Sequence, residues 1–277
     1  MTIKRILLPL CDVAGVEPIA EAAFTVGRLL SAQVRALLAQ QLQVTLPVND
    51  ETTPPELIRI AMERASRRRV EKLSAARQVF DDCAKRHSHV EAEFASAEGD
   101  IADLVSHAAR FADISILGSG APFAADGWED VRDPALFGSG RPILLIPPEG
   151  VDERHFDRVV IAWKGSIEAA RAIAAAHPFL LLAKKVHLIS IAEDAEMVAS
   201  LQDAEQYLQL HHAEVHSEVL RPSEKGVGET LIARSEAQGG ALLVMGAYSH
   251  WRWQERIFGG ITAHVLREAR MPVLMAH

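Results

Sequence analysis

Cysteine is nearly missing from this chain of 277 residues, which holds 2, Cys11 and Cys83, far apart and without a second pair. That excludes a disulfide framework and a thiolate metal site, and fits a reducing, cytoplasmic setting. An excess of basic charge is missing too. The 29 Lys and Arg against 37 Asp and Glu leave a net charge of -8, with the basic residues scattered along the chain. No electrostatic footprint for nucleic acid follows. No stretch approaches the roughly 18 uninterrupted apolar residues of a membrane span. The opening MTIKRILLPL has only a short apolar run before Cys11 and Asp12, with no cleavage signal behind it, so neither a membrane nor export is expected. What is present is a 49% hydrophobic composition, enough for a substantial core, in a length that suggests two domains.

The chain repeats itself. KRILLPL near the start is echoed by DRVVIAW from Asp157 to Trp163, each a basic residue followed by branched apolar ones. EGDIADLVSHAARFADISILGSG parallels VGETLIARSEAQGGALLVMGAYS, and RPILLIPP matches MPVLMAH. A duplication explains this most simply. The seam falls in PPEGVDERHFD between Pro147 and Asp157, giving domains 1–150 and 151–277.

Within each half, short runs rich in Ile, Val and Leu alternate with helical patterns, the signature of βαβ units and a parallel sheet. Strands are expected near 3–9, 33–39, 90–95, 113–118 and 142–147, then near 157–163, 185–191, 213–219, 240–246 and 272–276. Their near-continuous apolar character implies helices on both faces. One feature breaks the symmetry: a long helical pattern between Thr53 and His87, with Pro54 and Pro55 suited to its first turn. Its cluster Arg67, Arg68, Arg69 and Lys72 reads as a solvated helix face.

The end of the chain, GAYSHWRWQERIFGGITAHVLREARMPVLMAH, carries the most chemistry. Open parallel sheets bind ligands beyond the carboxyl ends of their strands, where the strand order reverses. Gly246 ends the fourth strand of the second half there, and its missing side chain lets a ligand or backbone approach closely. Gly259 and Gly260 precede the apolar-periodic ITAHVLREAR, a helix whose first-turn amides lack intrahelical partners and favour an anion, above all phosphate. Ser249 and Thr262 add hydroxyls on either side. The better-known phosphate motifs are absent: there is no G-x-x-x-x-G-K-[ST], and GSGAPF at Gly118 to Phe123 fails G-x-G-x-x-G at its last position.

These residues resemble the tandem universal stress proteins, and the resemblance covers essentially the whole chain. It implies two tandem doubly wound domains of adenine nucleotide alpha hydrolase-like type, each a five-stranded parallel sheet flanked by helices. ATP-binding members of that family carry G-x-x-G, nine residues, then G-[STN]. Here the matching run is Gly246, Ala247, Tyr248, Ser249, nine residues from His250 to Phe258, then Gly259 and Gly260. Ser249 stands where glycine is usual, and Gly260 where a hydroxyl or amide residue is usual. The family's acidic residue after the first strand is replaced by Lys164, which has no acceptor for adenosine but carries charge suited to phosphate. The implied nucleotide set is therefore Gly246, Ala247, Ser249, Gly259, Gly260, Ile261 and Thr262 around the phosphates, with Met245, Ile191, Ala162 and Lys164 around the base and sugar. The implied ligand is ATP or a related adenine nucleotide, with Mg2+.

In the first half the acidic slot falls at Cys11, with Asp12 one residue later. After Gly118 only three residues separate Gly138 from Pro142, so the expectation is that no phosphate-binding helix fits there and that this half has a structural role. Family members pair through their last strands. RPILLI and MPVLMA would then meet about a pseudo-two-fold axis as an intramolecular pseudo-dimer, with further homodimerisation left open.

The other features have bland readings beside the sharp ones. Tyr248, Trp251 and Trp253 could lid a base, yet loop aromatics more often pack on a neighbouring helix. Arg252 and Arg256 could reach phosphate or pair with acids such as Glu255. His211, His212 and His216 lack a third ligand with convincing spacing, because AEVHSEVLR alternates like a strand, so no metal is expected. No G-x-S-x-G elbow exists, and FGSGR around Ser139 offers only a turn. Asp100 and Glu229 suit helix starts, so no catalytic residue is assigned. Two functions remain: a stress-response regulator that responds to adenine nucleotide without turnover, or a scaffold of the same fold that binds none.

Overall fold

A computed structural model describes residues 2–13, 15–41, 55–120, 128–191, 195–212, 214–239, 241–247 and 260–277. The first half runs β1 (Arg5–Leu10), α1 (Val16–Leu30), β2 (Gln33–Gln41), α2 (Pro55–Arg86), β3 (Ala92–Gly99), α3 (Ile101–Arg110), β4 (Ile114–Gly118), α4 (Glu129–Phe137) and β5 (Ile143–Ile146). A short 3-10 turn, Glu153–Phe156, leads into the second half. That half runs β6 (Arg158–Ala162), α5 (Ile167–Leu180), β7 (Lys185–Ser190), α6 (Ala195–Gln209), β8 (Val215–Val219), α7 (Val227–Ala237), β9 (Leu242–Gly246), α8 (Gly260–Glu268) and β10 (Val273–Ala276). Every strand coincides with an expected one to within a few residues; the edge strands β3 (AEFASAEG) and β8 (VHSEV) are mixed in polarity instead of apolar runs.

Local chemistry sets several helix starts. Pro55 opens α2, where its missing N–H costs nothing. Asp100 caps α3 by accepting from the Asp103 amide at 2.9 Å, and Ser166 caps α5 by accepting from the Ala169 amide at 3.2 Å. Glu229 is a first-turn residue of α7, whose N-cap is Gly226.

All ten strands form one sheet, ordered β3-β2-β1-β4-β5-β10-β9-β6-β7-β8. Every neighbouring pair is parallel except the central one. There β5 and β10 run antiparallel, with Leu145 opposite Val273, Leu144 opposite Leu274 and Ile143 opposite Met275. Helices α1, α2, α5 and α6 cover one face around Phe24, Phe80, Phe156 and Phe179. Helices α3, α4, α7 and α8 cover the other around Val105, Val131, Ile232 and Val265. Corresponding helices of the two halves thus share a face while the strands reverse direction. The halves are related by a pseudo-two-fold axis normal to the sheet. Among the described residues no helix is long and apolar enough to cross a membrane.

Two expectations need correction. A helix does fit between β4 and β5: α4 precedes Gly138, which is its C-cap, instead of following it. The three residues before Pro142 are only the exit turn. The basic cluster of α2 is also divided. Arg67 and Arg68 are exposed, but Arg69 lies 3.3 Å from Glu98 and Lys72 donates to the Cys11 carbonyl at 3.0 Å. Helical periodicity turns these two toward the sheet.

The central seam is short, four residues in each strand, and all eight are buried. Leu274, at 0% exposure, has no route for water to fill a cavity left by truncation. Leu274→Ala is expected to cost about 2–5 kcal/mol, measured by urea denaturation, with a single transition retained.

Candidate functional site

The reversal point of the second half lies between β6 and β9. From β6 the chain steps outward to β7 and β8, then returns to β9 on the other side of β6. The carboxyl ends of β6 and β9 therefore diverge into a crevice. Register fixes what lines it: Ala162 sits beside Met245 and Ile189, and Gly246 beside Ala276. Ile191 and Ala247 follow at the ends of β7 and β9. Ala162, Lys164, Ile191, Met245, Gly246 and Ala247 thus share one end of the sheet, and Gly260, Ile261 and Thr262 form the first turn of α8. Ser249 and Gly259 lie outside the described residues, as do Tyr248, Trp251, Arg252, Trp253, Glu255 and Arg256.

Gly246 is close-packed against protein. A Cβ there would stand 2.7 Å from the Ala169 nitrogen and 2.7 Å from the Glu168 carbonyl carbon. The first turn of α5 occupies the space, so the backbone alternative holds on that side of the residue. Gly260 is the opposite case: among the described residues nothing lies within 4 Å of its Cβ position. Thr262 is buried at 6% exposure while Ile261 is 40% exposed, so α8 presents alternating surfaces at its start. Met245 is buried and Ile191 half-buried, both on the α7–α8 side of the sheet.

The electrostatics are mixed. Burial pushes the Lys164 ammonium below its ordinary range, against the pull of Glu168. Burial pushes the Glu168 carboxyl up, yet hydrogen bonds from its own amide and Ser166, with the charges of Lys164 and His277, bring it below its usual range. The crevice therefore carries a carboxylate beside its lysine. His277 reaches the Ala247 carbonyl with Nδ1 at 3.1 Å and stands edge-on to Phe137 of the first half at 5.0 Å. Trp163 is tethered through Nε1 to Ser200 Oγ at 3.0 Å, and a Cβ on Gly165, whose φ is +66°, would stand 3.3 Å from the same hydroxyl. Helix α6 thus covers the loop after β6. Sequence reading missed Glu168, His277 and the Trp163–Ser200 tether. Only Glu168 left a signal, an acid in the turn after a capping serine.

The equivalent crevice of the first half lies between β1 and β4. Lys72 of α2 holds the loop after β1, donating to the Cys11 carbonyl at 3.0 Å and standing 3.7 Å from Asp12. Burial, with Asp12 and Asp130 adding to it against Lys72, pushes the Cys11 thiol up to about 12. Helix α4 carries Glu129 and Asp130 in its first turn. Two carboxylates stand where phosphate would need positive potential.

Among the described residues no group of three or more His, Cys, Asp or Glu could hold a metal. His212 uses both ring nitrogens, Nε2 toward the Ala183 carbonyl at 2.8 Å and Nδ1 toward the Glu214 amide at 3.1 Å. His216 lies on β8 and stacks near His187, with ring centroids 5.9 Å apart.

No family model and no curated protein sequence matches the chain. Solved structures do. A universal stress protein from Archaeoglobus fulgidus DSM 4304 superposes with a TM-score of 0.69 at 19% identity, over 98% of this chain and 97% of that one. A candidate universal stress protein from Pseudomonas aeruginosa UCBPP-PA14 gives 0.56 at 15% identity, over 99% and 93%. The cytoplasmic domain of a prokaryotic cation chloride cotransporter gives 0.55 at 11% identity, over 99% and 95%. The chain has the fold of universal stress protein structures along its whole length.

The contact at Gly246 has a direct test. Gly246→Ala would press a methyl into the backbone of α5, which cannot rotate away, so a loss of about 1–3 kcal/mol is expected in chemical denaturation. An unchanged midpoint would mean that the space is open.

Proposed function

We propose that this chain is a cytoplasmic universal stress protein whose second half, residues 151–277, binds an adenine nucleotide at the β6–β9 crevice. The observation that carries this reading is the start of α8. Among the described residues nothing lies within 4 Å of the Cβ position of Gly260, which follows the strand that borders the reversal point, and the first-turn amides have no intrahelical acceptors. Lys164 adds positive charge, in place of the acidic adenosine contact that the family resemblance implies. The nucleotide, ATP with Mg2+ in this reading, would act by favouring one shape or one partner over another. In this reading the nucleotide acts without turnover, and any hydrolysis is slow and incidental. The first half, residues 1–150, serves as the pairing partner, with the loop after β1 held by Lys72.

A second reading has its own support. The Glu168 carboxylate beside Lys164, and α5 packed onto Gly246, both narrow and neutralise the crevice. They fit an interaction module that binds no nucleotide.

Thermal melting with and without ATP and Mg2+ separates the two. Ligand at 100 times its dissociation constant stabilises by roughly 2.7 kcal/mol, so a clear rise in Tm with millimolar ATP, reduced by Gly260→Asp, is expected. A flat melting temperature would support the interaction module.

A further inference from the structure

The opposite end of the second half carries an arrangement that the nucleotide reading does not use. We infer that the amino ends of β6 and β7 form a second binding cleft, one for a compact oligophosphate. A cavity of about 350 Å³ there is lined by Arg154, Asp157, Arg158, Lys184, Lys185 and Gly239, within the size range of ordinary ligand clefts, roughly 300–1,000 Å³. Organic ligands are usually held by mostly apolar walls. This cleft is lined by four cationic side chains, one carboxylate and a glycine, with no aromatic or aliphatic residue on which a base or an acyl chain could pack. Its chemistry suits a small ligand that is charged all round.

The cations are held in place. Arg158 donates through its guanidinium to the Gln238 carbonyl at 2.6 Å, which leaves most of its fork of donors for another acceptor. Gly239 makes that position available: its φ is +80°, and a Cβ would stand 2.8 Å from the same guanidinium nitrogen. The Asp157 carbonyl accepts from the amides of Lys184 and Lys185 at 2.7 and 3.3 Å, anchoring the backbone that carries both lysines. Two carboxylates temper the charge. Lys184 lies 2.8 Å from Asp157, and Arg154 lies 2.6 Å from Asp152. Four cations against these two anions leave two positive charges in excess, on a chain whose net charge is -8.

The duplication supplies an internal control. Arg5 and Arg158 hold equivalent places, paired respectively with Gln33 and Lys185 on the next strand. Next to Lys4 and Arg5, Asp113 accepts from both backbone amides at 2.7 and 3.0 Å. The residue equivalent to Asp113 in the second half is Ala241, and Ala32 and Gln33 become Lys184 and Lys185. At the same fold position Lys4 becomes Asp157 while Asp113 is lost and two lysines are gained, so the five equivalent positions change from a net charge of +1 to +2. Solvation of strand ends alone would treat both halves alike.

Calorimetric titration of the full chain with sodium pyrophosphate at low ionic strength tests this. One saturable site is expected, tighter than monophosphate at equal ionic strength, weakened at least tenfold in Arg158→Gln/Lys185→Gln and unaffected by Gly260→Asp at the other end of the sheet. Lys185→Gln alone, with circular dichroism melting to confirm folding, covers loss of the double variant. Absence of binding, equal affinity for monophosphate, or loss of binding in Gly260→Asp instead would each overturn the proposal.

Discussion

The antiparallel ladder between β5 and β10 is the constraint on which the rest of the molecule depends. Each half is a parallel five-stranded sheet whose last strand would otherwise be a bare, wholly apolar edge, an invitation to association. Pairing the two edges removes both exposures and merges two cores into one sheet with continuous layers of helices. The burial is complete: the seam residues Ile143 to Ile146 and Val273 to Met275 are at 0–1% exposure. Reversal of direction at the seam then dictates where function can lie. The carboxyl ends of the two halves point to opposite edges of the sheet, so the two reversal-point crevices are far apart and each borders the other half's amino ends. Contacts across the boundary show this directly. The Gly120 amide donates to the Leu266 carbonyl at 3.2 Å, and His277 meets Phe137.

Within that frame the two halves have diverged by swapping small numbers of charged residues at fixed positions. The loop after β1 is spanned by Lys72 from a helix that is 32 residues long in the first half, against 15 for its counterpart α6. The loop after β6 is tethered through Trp163 to Ser200 instead. Helix α4 begins with two acids, whereas the first turn of α8 has none. A shared backbone therefore presents negative potential at one reversal point, mixed potential at the other, and positive potential at the amino ends of β6 and β7. The fold supplies the places, and function rests on the side chains put there.

Much of the architecture was legible in the sequence because its signals are periodic and repeated. Eight apolar runs marked the inner strands, an alternating one marked β8 and a mixed one β3, and the match between RPILLI and MPVLMA pointed to the seam. The candidate site was less legible. Gly246 and Gly260 both read as room for a ligand, yet the first is filled by the α5 backbone while the second meets none of the described residues, a difference that depends on tertiary packing and leaves no trace in local spacing. The helix α4 is not anticipated because room for it is sought after Gly138, whereas it lies before that residue. Gly138 is a C-cap glycine, and helix-ending and helix-starting glycines look alike in sequence. Lys72 read as part of a solvated cluster because one helical turn separates its exposed neighbours from the side that faces the sheet.

The most direct test of the account is native-state amide exchange at the two ends of the seam and in the central strands of each half. If β5 and β10 weld the halves into one unit, the slowest amides of β1 and β4 should open with the same free energy as those of β6 and β9, and with those of Leu144 and Leu274. If one half exchanged its core amides at much lower free energy while the other stayed protected, the halves would be separate bodies in contact. The single-sheet account would then be wrong.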